Sequence, residues 1–192
     1  IKNVEDLVSE LFFVVNGDTY PLFNILESVK FYHRKKSSGC LGVIMVSVHK
    51  NSEDKGTVKL GEDGKIVTFN EKKIENSGDY FVNAGVYFFD RNVFYQDVWE
   101  RKCSLEKDIF PSLVSKGFIF GMKTNGSFID MGTLEVYKSL VNRQFVFPDI
   151  LDSLLRDFKH LIFRSDLHVI GLFFFHIISH LNSQSLFLIS FK

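Results

Sequence analysis

Leu11-Phe12-Phe13-Val14-Val15 is an unbroken apolar run that stops at Asn16-Gly17-Asp18-Thr19. A short apolar run closed by turn formers predicts a strand buried on both faces. Pro21 is expected to open a helix, because Phe23, Leu26, Val29 and Phe31 follow near-helical spacing. That helix should end at the cations Arg34-Lys35-Lys36, which suit a helix C-terminus. Leu41 to Val48 reads as a second buried strand. Strand, helix and strand in this order predict a βαβ unit, and so a mainly parallel sheet.

The pattern then turns to alternation. Thr57-Val58-Lys59-Leu60, the turn Glu62-Asp63-Gly64 and Lys65-Ile66-Val67-Thr68-Phe69 predict a hairpin. Ala84 to Phe89 is a further strand, Ser104 caps a helix running to about Ser115, and Phe118 to Met122 is a strand. Asn125-Gly126 turns the chain into Phe128-Ile129-Asp130-Met131, and Thr133 caps a helix to about Gln144. Asn125-Gly126-Ser127 also fits the N-glycosylation triplet, but a tight turn in a cytosolic protein is the preferred reading. The body is α/β with a mixed sheet.

After Phe147 the character changes, which divides the chain into residues 1–147 and an apolar tail, 148–192. Val169 to Phe191 carries no Asp, Glu, Lys or Arg, yet His176, His180 and Asn182-Ser183-Gln184-Ser185 interrupt it. Three readings stay open: a membrane span, which these polar residues disfavour, a buried or oligomer-facing segment, or a non-native tail from a misjoined reading frame. His176 and His180 are four apart but have no third ligand beside them, which leaves a metal reading weak.

Composition narrows the classes. Lys plus Arg and Asp plus Glu are both 23 among 192 residues, so the chain has no global pull toward nucleic acid or an anionic membrane. Two cysteines, Cys40 and Cys103, without CxxC spacing read as idle thiols in a reducing compartment. No secretory signal opens the chain, so the expected location is cytoplasmic. The first residue is Ile, which suggests a start inside a longer reading frame.

Asp18 follows a buried strand across Asn16 and Gly17, at the kind of strand end where α/β sheets bind ligands. A carboxylate there suits a hard divalent cation such as Mg2+, and equally suits an Asx-turn. Asp130 ends Phe128-Ile129 and precedes Met131-Gly132-Thr133, so it is either a second carboxylate for the same cation or part of a helix-entry turn. Glu71-Lys72 closes the hairpin, facing a polar ligand or solvent. Asn83-Ala84-Gly85 puts an amide and a glycine inside a strand, which marks either close approach of a ligand or a bulge. No Gly-x-Ser-x-Gly elbow, HExxH or Gly-rich phosphate loop occurs.

The order of these segments is more specific than any one of them. Phe12-Phe13-Val14-Val15-Asn16-Gly17-Asp18-Thr19, Phe69-Asn70-Glu71-Lys72, Val82-Asn83-Ala84-Gly85-Val86-Tyr87 and Phe128-Ile129-Asp130-Met131-Gly132-Thr133 together resemble the sugar-phosphate nucleotidylyltransferase family. Ser104-Leu105-Glu106-Lys107-Asp108-Ile109-Phe110-Pro111 is also similar to the family, and together with Asn83-Ala84-Gly85 it most resembles the guanylyltransferase branch acting on D-glycero-D-manno-heptose 1-phosphate. The resemblance covers about residues 1–145 and implies a Rossmann-like fold of the nucleotide-diphospho-sugar transferase type, lacking its N-terminal part.

The implied reaction is attack of a sugar 1-phosphate oxygen on the α-phosphorus of a nucleoside triphosphate, GTP by the branch, releasing pyrophosphate. The resemblance gives Asp18 and Asp130 the magnesium, and gives Lys72 the sugar phosphate. Glu71 and Asn83 would bind sugar hydroxyls, with Gly17 in the substrate loop and Gly85 leaving room for the ring. The product would feed nucleotide-sugar and surface polysaccharide synthesis, with a homo-oligomer as one possible assembly. Two departures stand out. Lys73 occupies the place of the family's usual Pro, and the family's Gly-rich nucleotide loop does not occur within these residues. The fragment alone is therefore expected to be inactive, with a raw sheet edge where the first strands are missing. The alternative is an inactive remnant kept as a sugar-phosphate-binding or subunit-interaction module.

Overall fold

The computed structural model describes residues 1–21, 25–48, 56–70, 80–99, 103–124, 128–130, 134–135, 138 and 186–191. After a 3-10 turn at Lys2–Leu7 come β1 (Leu11–Asn16), β2 (Thr19–Pro21), α1 (Ile25–Lys36) and β3 (Gly42–Ser47). The hairpin β4 (Thr57–Leu60) and β5 (Ile66–Asn70) follows, then β6 (Tyr80–Asp90). A 3-10 turn at Arg91–Tyr95, a π-helical turn at Leu105–Ile109, α2 (Phe110–Ser115), β7 (Ile119–Lys123), β8 (Phe128–Asp130) and β9 (Leu186–Phe191) complete the order.

The expected first strand, hairpin and basic helix end are all present. Gly64 takes the left-handed conformation, φ 82°, that the Asp-Gly turn needs. Pro21, however, does not open the helix: it pairs with Phe128 in the ribbon of β2 and β8, and α1 starts at Ile25. A two-stranded ribbon has outer edges where a residue without N–H costs nothing. Ser104 caps as expected, its hydroxyl accepting from Lys107 N at 3.3 Å. The first turn there is π-helical, and Phe110 N–H reaches back to Leu105 O. Pro111 has no N–H for the ordinary helical bond, which accounts for the wider turn.

The sheet is mixed, but among the described residues it is not mainly parallel. β3 and β7 pair in parallel, whereas β1–β6, β3–β6, β4–β6, β4–β5 and β1–β9 are antiparallel. The βαβ reading has β1 and β3 pointing the same way, which is correct. It misses β6, which inserts between them in the opposite direction. The edge of β1, expected to be raw, is covered among the described residues: β9 pairs with β1 through all its residues, from Leu11 opposite Phe191 to Asn16 opposite Leu186.

Two apolar layers sandwich the sheet. One face holds Phe12, Ile44, Tyr87 and Phe89 under Phe110 and Leu113 of α2. The other holds Phe13, Val43 and Phe88 against Tyr32 of α1. This is a single α/β/α core, with β1 and β6 buried on both sides. Cys40 is buried and Cys103 half-buried, both as free thiols, and burial pushes the Cys40 thiol up to about 12. No helix among the described residues is long and apolar enough to cross a membrane. His176, His180 and the rest of 148–185 lie outside the described residues, as do Asn125-Gly126-Ser127 and Thr133.

Candidate active site

Three strands meet at the middle of β6 and leave a notch. β1 pairs with β6 from Asp90 to Val86, and β4 pairs with it from Val82 to Tyr80. Since β3 takes the other edge of β6, β1 and β4 share one edge end to end. Between them lie Asn83 to Gly85, flanked by Asn16 at the end of β1 and Gly56, whose carbonyl accepts from Asn83 N at 2.9 Å.

Gly85 sits here at φ 70°, inside the register irregularity where Ile44 opposes Tyr87 and Val46 opposes Asn83. A β-bulge, one of the two sequence expectations, is what β6 forms. A Cβ at Gly85 would lie 2.6 Å from Thr19 Oγ1 and 2.9 Å from Asn16 Nδ2. The glycine thus lets the Asn16–Thr19 turn close over β6.

A polar network fills the face beneath. Asn83, buried, donates from Nδ2 to the Tyr87 hydroxyl at 2.9 Å and to Glu106 Oε1 at 2.9 Å, and its Oδ1 accepts from Gly85 N at 3.1 Å. Tyr87 donates in turn to Glu106 Oε1 at 3.4 Å. Burial first, and the Glu106 charge second, hold the Tyr87 phenol well above its ordinary value, so it stays a neutral donor. Tyr87 and Glu106 stand within the segments that carry the family resemblance, but the sequence assigns neither a chemical role. The signal for Tyr87 was its place four residues beyond Asn83 on the same strand face. Glu106 comes from a distant segment, and no spacing rule points to it.

The turn that carries Asp18 places it beside the ribbon. Thr19 of β2 is in register with Asp130 of β8, so Asp18 and Asp130 are separated by one chain step and one strand spacing. With Cα spacings of about 3.8 Å along the chain and about 5 Å across the pair, their Cα atoms lie within about 9 Å. Asp18 is exposed and Gly17, in the turn, half-buried. Glu71, Lys72 and Lys73 lie outside the described residues. Among the described residues no three His, Cys, Asp or Glu side chains cluster as a metal site.

The nucleotidyl transferase family profile matches residues 1–143, and the chain belongs to that family. A mannose-1-phosphate guanylyltransferase catalytic subunit beta from Drosophila pseudoobscura pseudoobscura is 30% identical over 131 residues, 68% of this chain and 34% of that protein. A mannose-1-phosphate guanylyltransferase from Mycobacterium tuberculosis is 30% identical over 124 residues, 64% of this chain and 33% of its own length. Among solved structures, HddC from Yersinia pseudotuberculosis superposes with TM-score 0.56 at 25% identity, covering 74% of this chain and 59% of that one. A putative glucose-1-phosphate thymidylyltransferase from Bacillus anthracis, 21% identical with TM-score 0.60, shows the same fold over 76% of this chain and 60% of its own. The chain thus spans about a third of the curated relatives it matches, 34% of the first.

Proposed function

We propose that this chain supplies the sugar 1-phosphate and metal side of a sugar-1-phosphate guanylyltransferase. The observation that supports this is the β2–β8 register, in which Thr19, one chain step from Asp18, lies opposite Asp130, while Thr19 also closes over Gly85. Two hard carboxylate donors, one from the turn before β2 and one from the end of β8, would suit a magnesium ion that takes its remaining ligands from phosphate oxygens and water. When bound, that ion supplies charge neutralisation between the two phosphate-bearing substrates.

The protein groups position the reactants. Lys72 balances the charge of the sugar phosphate, while Glu71 and Asn83 hold sugar hydroxyls. A phosphate oxygen of the sugar 1-phosphate forms a bond to the α-phosphorus of GTP. The bond to the bridging oxygen breaks, and pyrophosphate leaves with the electron pair. Positioning and charge balance dominate such a transfer, so a buried Asn83 held by three hydrogen bonds matters more than a reactive side chain. Mannose 1-phosphate is a first candidate because mannose-1-phosphate guanylyltransferases are among the relatives, and heptose 1-phosphate because of the resemblance carried by Ser104–Pro111 and Asn83-Ala84-Gly85. Homo-oligomerisation and a cytoplasmic place belong to the same proposal.

The test is calorimetric titration of the 192-residue chain with mannose 1-phosphate, heptose 1-phosphate and inorganic phosphate in magnesium. Saturable binding of a sugar 1-phosphate, tighter than that of phosphate alone, is the expected result. Equal binding of all three would sink the assignment of Asn83 and its neighbours to the sugar.

A further inference from the structure

We infer that Glu106 is a positioning residue: it fixes the Asn83 amide so that the amide oxygen, not the NH2 group, is offered to a sugar hydroxyl. This rests on the reading of the notch as a sugar 1-phosphate subsite.

An asparagine amide turned end for end keeps its shape and reverses its chemistry. Three contacts decide the matter here. The Tyr87 hydroxyl, 2.9 Å from Nδ2, does not discriminate, because a hydroxyl can either donate or accept. Gly85 N–H, 3.1 Å from Oδ1, can only donate. The Glu106 carboxylate, 2.9 Å from Nδ2, can only accept when ionised. The reversed amide would set an oxygen against the carboxylate and an NH2 against an N–H. Of the two selective contacts the one to Glu106 is charge-assisted, and so the stronger.

In the chosen orientation both hydrogens of Nδ2 are taken by protein acceptors, while Oδ1 holds one N–H and keeps a second lone pair. Asn83 therefore offers an acceptor. It takes a hydroxyl and repels a phosphate oxygen. The Ser104–Asp108 segment presents Glu106 to its bond with Asn83. Ser104 Oγ accepts from Lys107 N at 3.3 Å, Asp108 Oδ2 accepts from Ser104 N at 2.7 Å, and Phe110 N–H closes the wide turn onto Leu105 O. This locked π-helical turn carries Glu106 to β6 from 23 residues along the chain. Such turns recur at functional sites.

The experiment compares the full chain with Glu106→Gln and Glu106→Ala, read by mannose 1-phosphate titration and by the Asn83 side-chain NH2 signals in nitrogen-edited NMR. Gln keeps an acceptor oxygen, so the signals should stay near their wild-type positions and affinity should fall by no more than about threefold. Ala removes the acceptor, so the signals should move and affinity should fall by about tenfold or more. Unchanged Asn83 signals in Glu106→Ala would overturn the inference whether or not any sugar binds. Gln as weak as Ala in binding, with its signals at the wild-type positions, would overturn it too, and would make Glu106 a direct ligand contact. Absence of sugar 1-phosphate binding by the wild-type chain would instead defeat the proposed function, leaving the NMR comparison to decide the role of Glu106.

Discussion

Tyr32 of α1 donates its phenolic hydrogen to the Asp90 carboxylate at the end of β6, and both side chains are buried. The other oxygen of Asp90 accepts from Asn92 N at 2.8 Å, so one carboxylate ties the helix layer to the turn that leaves the sheet. Tyr32→Phe keeps the ring and its contact with Phe88 but leaves a buried carboxylate oxygen without its donor. Stability should fall by about 1–3 kcal/mol, seen as a lower urea midpoint at unchanged slope. An unchanged midpoint would mean that water replaces the phenol without cost.

High pH should expose the same group. The Tyr32 phenol is raised by burial and then by its bond to Asp90, and the Tyr87 phenol by burial and then by Glu106. A folded value above the unfolded one gives stability that is complete below about pH 10 and is lost as pH climbs further. The chain should therefore unfold above about pH 10, with buried phenolate absorbance and loss of near-ultraviolet dichroism appearing together. Phenolate appearing while the dichroism persists would contradict the burial of these rings.

Gly85 and Gly39 separate two costs. Both have positive φ, 70° and 81°, but nothing lies within 4 Å of a Cβ at Gly39, whereas Thr19 Oγ1 lies 2.6 Å from one at Gly85. Gly39→Ala should cost about 1 kcal/mol, from backbone strain alone. Gly85→Ala should cost about 2–4 kcal/mol, because the Asn16–Thr19 turn must lift from β6. Equal losses in thermal melts would show that the turn gives way freely.

Deleting residues 186–192 addresses the tail. The sequence leaves this segment open as a membrane span, a buried or oligomer-facing segment or a non-native tail, yet β9 pairs along the whole of β1. Its removal would bare a long, apolar central strand as an edge, a template for self-association. Light scattering should show aggregation of the shortened chain. A soluble monomer with unchanged dichroism would mean that β9 adds nothing to the sheet.

The local signals in the chain were sound where the element was local. Leu11–Val15, the Asp63-Gly64 hairpin and the Ser104 cap all follow from runs, turn chemistry and capping. What failed was long-range pairing. Nothing in the spacing of β1 and β3 shows that β6, some forty residues further on, enters between them antiparallel. The helix-start preference of Pro21 predicts a helix, but a ribbon edge tolerates proline equally well, and β8 supplies that ribbon. The site divides the same way. Asn83 and Gly85 announce themselves as polar and flexible residues in an apolar strand, but Glu106 gains its meaning only from the fold that brings it to Asn83.

Asp18 and Asp130 should behave as one magnesium site. Their backbones are set one chain step and one strand spacing apart, and adjacent carboxylates repel each other unless a cation lies between them. Each replaced by Asn loses charge and little shape, so folding should survive. Manganese, a paramagnetic substitute for magnesium, should broaden the amide signals of Gly17, Asp18, Thr19 and Ile129 in the wild-type chain. Either single replacement should weaken this broadening by about tenfold in metal concentration, the scale of one lost charge contact. Because the two carboxylates share an ion, the double replacement should be little worse than the worse single one. In a chain fused to a family-like Gly-rich nucleotide-binding half, guanylyl transfer should follow the same non-additive pattern. Fully additive losses, or broadening that survives at one of the two strands, would separate the carboxylates and remove the shared site.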